Sequence, residues 1–187
     1  MAERAVPSRV VTAERVASEA GFKWSCIPEV GRLLKVAAAS KPHGVVAESG
    51  TGMGVGTAWL HSGLGGGARL ITVEHDEELA RRTADAFDDD RVTVLTGDWR
   101  LLERHAPFDV FFCDGGGKRE DPEAVVDLLA PGGLLILDDF TPSPHWPPRL
   151  GDEVDALRVR YLTHPALDAT EVLTTPASSA IVAARRL

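Results

Sequence analysis

The chain has 187 residues, 44% hydrophobic and 26% charged, enough for one domain with a substantial core. Twenty Lys and Arg against 28 Asp and Glu leave a formal net charge of −8, and beyond Arg185-Arg186 there is no basic stripe, so a nucleic-acid partner is not expected. The opening residues Met1 to Arg9 lack the apolar core of a signal peptide, and nowhere do about 18 uncharged apolar residues run together; the expectation is a cytoplasmic protein with no membrane partner.

Short apolar runs alternate with helix-like segments, the pattern of βαβ units and a parallel sheet covered on both faces. Residues 1–42 read as an N-terminal helical region and 43–187 as the core of a single domain spanning 1–187. Helices are placed at about 12 to 20 and from Pro28 to Ala39; Val30, Leu33, Leu34, Ala37 and Ala38 recur at helical spacing in the second, so packing accounts for it, with a ligand contact from Ser25 or Glu29 left open. Strands are placed near 44–48, 69–74, 92–96, 108–113 and 133–138. Behind the first comes Ala47 to Thr57, where Glu48 leads into a turn with glycine at 50, 52, 54 and 56, residues that permit positive φ and let backbone approach a ligand. The helix from Asp76 to Phe87 opens on three acids and carries Arg81 and Arg82 further along, in keeping with the macrodipole.

Cys113 closes the apolar run from Phe108 and reads as a small buried hydrophobe; Cys26 is the only other cysteine, and neither a zinc cluster nor a disulfide is expected. Asp121 and Pro122 open another helix as N-cap and first helical residue, and Pro131-Gly132-Gly133 ends it. Thr141 to Pro148, with four prolines, reads as a stiff loop in which His145 and Trp146 either form a lid or pack the loop onto the core. A helix from Gly151 to about Leu162 precedes strands at 169–174 and 179–184, joined across Pro176 to Ser179. His43, His61, His105 and His164 share no motif and are read as structural or surface residues.

The glycine loop does not match two common phosphate-binding patterns. In G-x-G-x-x-G the third glycine would fall on Val55 or Thr57, and the Gly117-Lys118 pair runs into Arg119 without a P-loop frame. The pattern Glu48-x-Gly50-x-Gly52-x-Gly54 instead resembles motif I of the class I S-adenosylmethionine-dependent methyltransferases. Two further marks follow in order: Glu74 ends the next apolar run, 26 residues after Glu48, and Gly97-Asp98 follow the third. A carboxylate at Glu74 suits ribose, because it accepts from two hydroxyls at once.

The resemblance implies a Rossmann-like α/β fold, with a mostly parallel seven-stranded sheet whose last strand is antiparallel and helices on both faces. It implies S-adenosylmethionine as cofactor, held by Glu48, Ser49, Gly50, Thr51, Gly52, Gly54, Thr57, Glu74, His75 (a solvated neighbour), Gly97, Asp98, Trp99 and Asp114. For Trp99, stacking near adenine and packing in the core are equally weighted readings.

Ligands in open α/β sheets bind beyond the carboxyl ends of the strands, where Asp114, Asp138 and Asp139 fall. Three converging carboxylates repel unless a cation lies between them, and oxygen ligands suit Mg²⁺ or Ca²⁺. These positions resemble the metal ligands of the catechol- and caffeoyl-CoA-type O-methyltransferases, with Asp139 where an asparagine is usual. That resemblance implies methyl transfer to a hydroxyl of a small-molecule acceptor assisted by a divalent cation, with Asp114 and Lys118 as catalytic residues, the lysine helping to remove the hydroxyl proton. A metal-independent N- or O-methyltransferase and a non-catalytic cofactor-binding protein of the same fold are the alternatives, and a homodimer is compatible with the resemblance.

Overall fold

The computed structural model describes residues 5–187; Met1 to Arg4 lie outside the described residues. Helix α1 (Ser8–Glu19) and α2 (Pro28–Ala39) come first, the latter opened by a proline and burying Val30, Leu34, Ala37 and Ala38, the spacing of one helical face. The core then alternates: β1 (Val45–Ser49), α3 (Val55–His61), β2 (Arg69–Glu74), α4 (Glu77–Ala86), β3 (Val92–Thr96), a 3₁₀ helix over Trp99–His105, β4 (Phe108–Cys113), α5 (Pro122–Asp127) and β5 (Leu129–Phe140). A two-stranded hairpin, β6 (Arg149–Leu150) with β7 (Glu153–Val154), precedes α6 (Ala156–Leu162), β8 (Leu167–Thr175) and β9 (Ser178–Arg185).

The sheet has seven strands in the order β3-β2-β1-β4-β5-β9-β8, parallel from β3 to β5 and antiparallel where β9 meets β5 and β8. Its strands show why it is covered on both faces. Along β1 and β4, Ala47, Phe111 and Cys113 face one apolar cluster while Val46, Val110 and Phe112 face the other, with β2 and β5 alternating likewise through Ile71 and Leu70, Leu135 and Ile136. A period of two with apolar residues on both sides leaves no solvent face. Cys113 is wholly buried, its thiol pushed up to about 12 by burial; both cysteines are free. Among the described residues no helix is long and apolar enough to cross a membrane.

Helix starts follow their caps. Asp76 accepts from the backbone N–H groups of Glu78 and Leu79, Asp121 from Ala124, and Asp155 from Arg158. Helix α1 starts at Ser8, ahead of the expected start at about 12, and three further features differ from expectation. Helix α5 stops at Asp127, and Pro131-Gly132-Gly133 lies inside β5 instead of before it; Gly132 takes φ 73° and the pairing slips between Phe108 and Val110, so the three residues form an irregularity in the strand. Helix α6 begins five residues later than expected, because Gly151, at φ 63°, turns the β6–β7 hairpin first. Trp146 is 64% exposed, so the reading in which it packs the loop onto the core does not hold.

Candidate functional site

The parallel strands β2, β1 and β4 end side by side, and the loops that leave them meet backbone to backbone. Gly50 takes φ 92°, and a Cβ there would stand 2.7 Å from the Gly115 nitrogen, so the β1–α3 turn and the loop after β4 touch only because both positions lack side chains. Gly50 and Thr51 donate to the Val73 carbonyl, and Asp114 and Gly115 donate to that of Ser49, closing the loops onto one another. The result is a cavity of about 290 Å³ bordered by Gly50, Glu74, His75, Gly97, Asp98 and Trp99, with Val73, Gly115, Gly116 and Glu120 completing it.

Six of the residues singled out for the cofactor therefore line one cavity. Glu74, at the end of β2, has each carboxylate oxygen held once: Oε2 accepts from the Gly52 N–H at 2.7 Å and Oε1 from that of Asp76 at 3.0 Å. Each oxygen keeps a lone pair for a vicinal diol. Asp98 accepts from Arg100 N–H and starts the 3₁₀ helix. Trp99 is 5% exposed, as its core-packing reading requires, and it also forms a wall of the cavity. Glu120 was missed by sequence reasoning; its Oε2 accepts from the Gly117 N–H at 2.6 Å, a loop contact with no motif to announce it.

Other residues of that set serve as the loop's frame. Glu48 is fully buried; its Oε2 accepts from the hydroxyls of Thr57 and Thr72, its Oε1 has no partner, and burial pushes its carboxyl up to about 8, with Asp114 and Glu74 adding to the shift. Thr51 shares a hydrogen bond with Thr72, and Ser49 donates to the Gly116 carbonyl. Gly54 takes φ 79° as the residue before α3. Beside the larger cavity a small one is bounded by Glu48, Thr51, Gly52, Asp114, Cys26 and Ser25, whose buried hydroxyl has no partner. The glycine cradle, the half-used Glu74 carboxylate and these unpartnered atoms fit S-adenosylmethionine, a ligand with a ribose diol and a polar methionyl tail.

The aspartates arrange themselves otherwise than expected. Asp114 and Asp138 each have a buried Oδ1 without a hydrogen-bond partner, and burial pushes both carboxyls up to about 6, Lys118 opposing the shift. Asp139 takes φ 67° and is exposed, and among the described residues no three His, Cys, Asp or Glu side chains gather to hold a metal. Lys118, 5% exposed, stands there instead: its Nζ donates to the Asp138 carbonyl at 3.0 Å and lies 3.7 Å from Asp114 Oδ1. A divalent ion ligated by that oxygen would sit within about 6 Å of the ammonium, a repulsion of roughly 5 kcal/mol or more at an effective dielectric of about 20. The structure brings Asp114 and Asp138 together with Lys118 and leaves Asp139 exposed, which corrects the expected convergence of Asp114, Asp138 and Asp139.

Comparison with known proteins adds the context of relatives. Residues 47–140 match the family model described as a methyltransferase domain. A provisionally named O-methyltransferase of Mycobacterium sp. (strain JLS) is 34% identical over 121 residues, 59% of this chain and 54% of the relative, so the match spans about half the length of that curated protein. One of Mycolicibacterium smegmatis is 30% identical over 150 residues, 73% of this chain and 70% of its own. Among solved structures, an O-methyltransferase from Bacillus cereus in complex with SAH superposes with a TM-score of 0.79 at 23% identity, covering 97% of this chain and 92% of that one. The O-methyltransferase TomG from Streptomyces achromogenes, in complex with SAM, gives 0.75 at 19% identity over 98% and 92%.

Proposed function

This chain belongs to the methyltransferase-domain family, and on that premise we propose that it moves the methyl group of S-adenosylmethionine to a hydroxyl oxygen of a small-molecule acceptor. The observation that carries this reading is the meeting of Glu74, Asp98, Trp99 and the Gly50–Gly115 contact around one cavity at the strand ends. The names of the Mycobacterium and Bacillus relatives support oxygen as the acceptor atom.

S-adenosylmethionine bound there supplies an electrophilic methyl on a sulfonium. The chain's own residues do the rest. Glu74 binds the ribose hydroxyls, the backbone of the glycine loop holds the methionyl part, and Trp99 walls the adenine side. Asp114 Oδ1, buried and unpartnered, takes the acceptor hydroxyl's proton; a carboxyl pushed up to about 6 suits this task near neutral pH. With its proton held by Asp114, the acceptor oxygen would be free to accept the methyl that the bound cofactor would supply.

Calorimetric titration with S-adenosylhomocysteine tests the cofactor half of this reading. Saturable one-to-one binding is expected, weakened about tenfold or more by Glu74→Ala, because charged hydrogen bonds are worth roughly 1.5–3 kcal/mol. No binding heat at any concentration would sink it.

A further inference from the structure

We propose that Lys118 is the resident cation of this site, filling the electrostatic role for which the catechol-type resemblance implied a divalent metal, so that the chain handles its acceptor hydroxyl without one. The inference rests on the methyl-transfer reading and deepens it.

The charge balance of the strand ends leads there. Asp114 follows β4 and Asp138 lies near the end of β5, two strands paired through Phe112 and Ile136, so the two carboxyls, each with a buried unpartnered Oδ1, are neighbours that repel one another. Buried carboxylates need positive charge nearby or they disfavour the fold. Lys118 supplies it, reaching the Asp138 carbonyl at 3.0 Å and Asp114 Oδ1 at 3.7 Å.

The lysine is built into place. Its carbonyl accepts from the Tyr161 hydroxyl at 3.0 Å, a bond between residues 43 apart in sequence. Its Nζ lies 6.0 Å from the centre of the Phe140 ring, and the Arg158 guanidinium lies 5.3 Å from the same ring. Helix α6, which carries both Tyr161 and Arg158, therefore braces Lys118 through its main chain and through the aromatic ring under its ammonium. A swinging surface lysine has no such support.

An ammonium has three N–H donors, and the Asp138 carbonyl takes one. Of the other two, one faces Asp114 and one remains for the acceptor oxygen as negative charge develops on it. Asp139, which a metal site would recruit, is turned out to solvent by its left-handed backbone.

The test needs no known acceptor. Mn²⁺ is titrated into the full chain, with and without S-adenosylhomocysteine, and its binding is followed by electron paramagnetic resonance. The wild type is expected to show no saturable site tighter than about 1 mM, with the S-adenosylhomocysteine affinity equal in Mg²⁺ and in EDTA. Lys118→Ala is expected to gain one Mn²⁺ site, because removing the ammonium leaves the Asp114 and Asp138 oxygens without a counter-charge; Lys118→Arg is expected to gain none. One-to-one Mn²⁺ binding to the wild type overturns the proposal, and that measurement stands even if the alanine variant fails to fold. A folded Lys118→Ala protein that binds no Mn²⁺ also overturns it. Loss of S-adenosylhomocysteine binding is read separately and counts against the methyl-transfer reading alone.

Discussion

At the end of β1 the Glu48 side chain has no exposed surface, and its two oxygens are treated unequally: two threonine hydroxyls serve Oε2 and nothing serves Oε1. Burial outweighs those hydrogen bonds, raising the carboxyl from 4.5 to about 8. Between these values the folded chain holds a proton that the unfolded chain has released. The contribution is whole below pH 4.5 and is lost as pH rises through 8, so stability falls across that window. Glu48→Gln keeps an acceptor for Thr57 and Thr72 and cannot ionise. It should match the wild type at acid pH and exceed it at about pH 9 by on the order of 5 kcal/mol in urea denaturation. Asp114 and Asp138, raised to about 6, titrate in both proteins, so the comparison is made at about pH 9, above both. Parallel pH profiles would show that Glu48 titrates at its ordinary value in the folded chain.

The turn between β1 and α3 and the loop after β4 form one unit, since each leaves room for the other's backbone. Gly50→Ala would place a Cβ 2.7 Å from the Gly115 nitrogen, on a residue held at φ 92°. The expected outcome is a loss of roughly 2 kcal/mol or more in stability and at least a tenfold loss in S-adenosylhomocysteine affinity, whereas Gly66→Ala, whose Cβ meets open space, should change neither appreciably. Equal behaviour of the two variants would separate the loop contact from the cavity. Elements of this kind were legible beforehand to different degrees. Strands β1 to β4 could be placed within a residue because apolar runs ending in acids are local features, and Glu74 and Asp98 came with them. The Pro131-Gly132-Gly133 irregularity was not legible, since a helix stop and a strand bulge use the same residues and only pairing with Phe108 and Val110 decides between them. Lys118 was identified, but its burial was not; the Tyr161 hydroxyl and the Phe140 ring that hold it come from strand and helix positions fixed by the completed sheet. Arg158, fully buried against Asp155 and Glu171, has no sequence signal of its burial for the same reason.

Across the whole molecule, eight more acids than bases give a negative field, and the strand ends concentrate it: Glu74, Asp98 and Glu120 border the larger cavity, with Asp114 beside the smaller. The net charge therefore says little about nucleic acid or lipid once the cavity is known; it bears on how a small charged ligand arrives. S-adenosylmethionine carries a sulfonium and an ammonium against one carboxylate, while S-adenosylhomocysteine has lost the sulfonium charge and is neutral overall. Field lines focused into a cleft speed the encounter of the cation and leave that of the neutral product unaltered. Raising ionic strength from about 0.01 M to 0.15 M shortens the screening length from about 30 Å to 8 Å, so the association rate of S-adenosylmethionine should fall about threefold while that of S-adenosylhomocysteine stays nearly constant. Trp99, a wall of the cavity, gives a fluorescence signal for stopped-flow mixing with either ligand. Identical salt dependences would mean that the acids at the strand ends act only on the bound cofactor, each through its own contacts, and that the field of the folded chain has no part in delivering it.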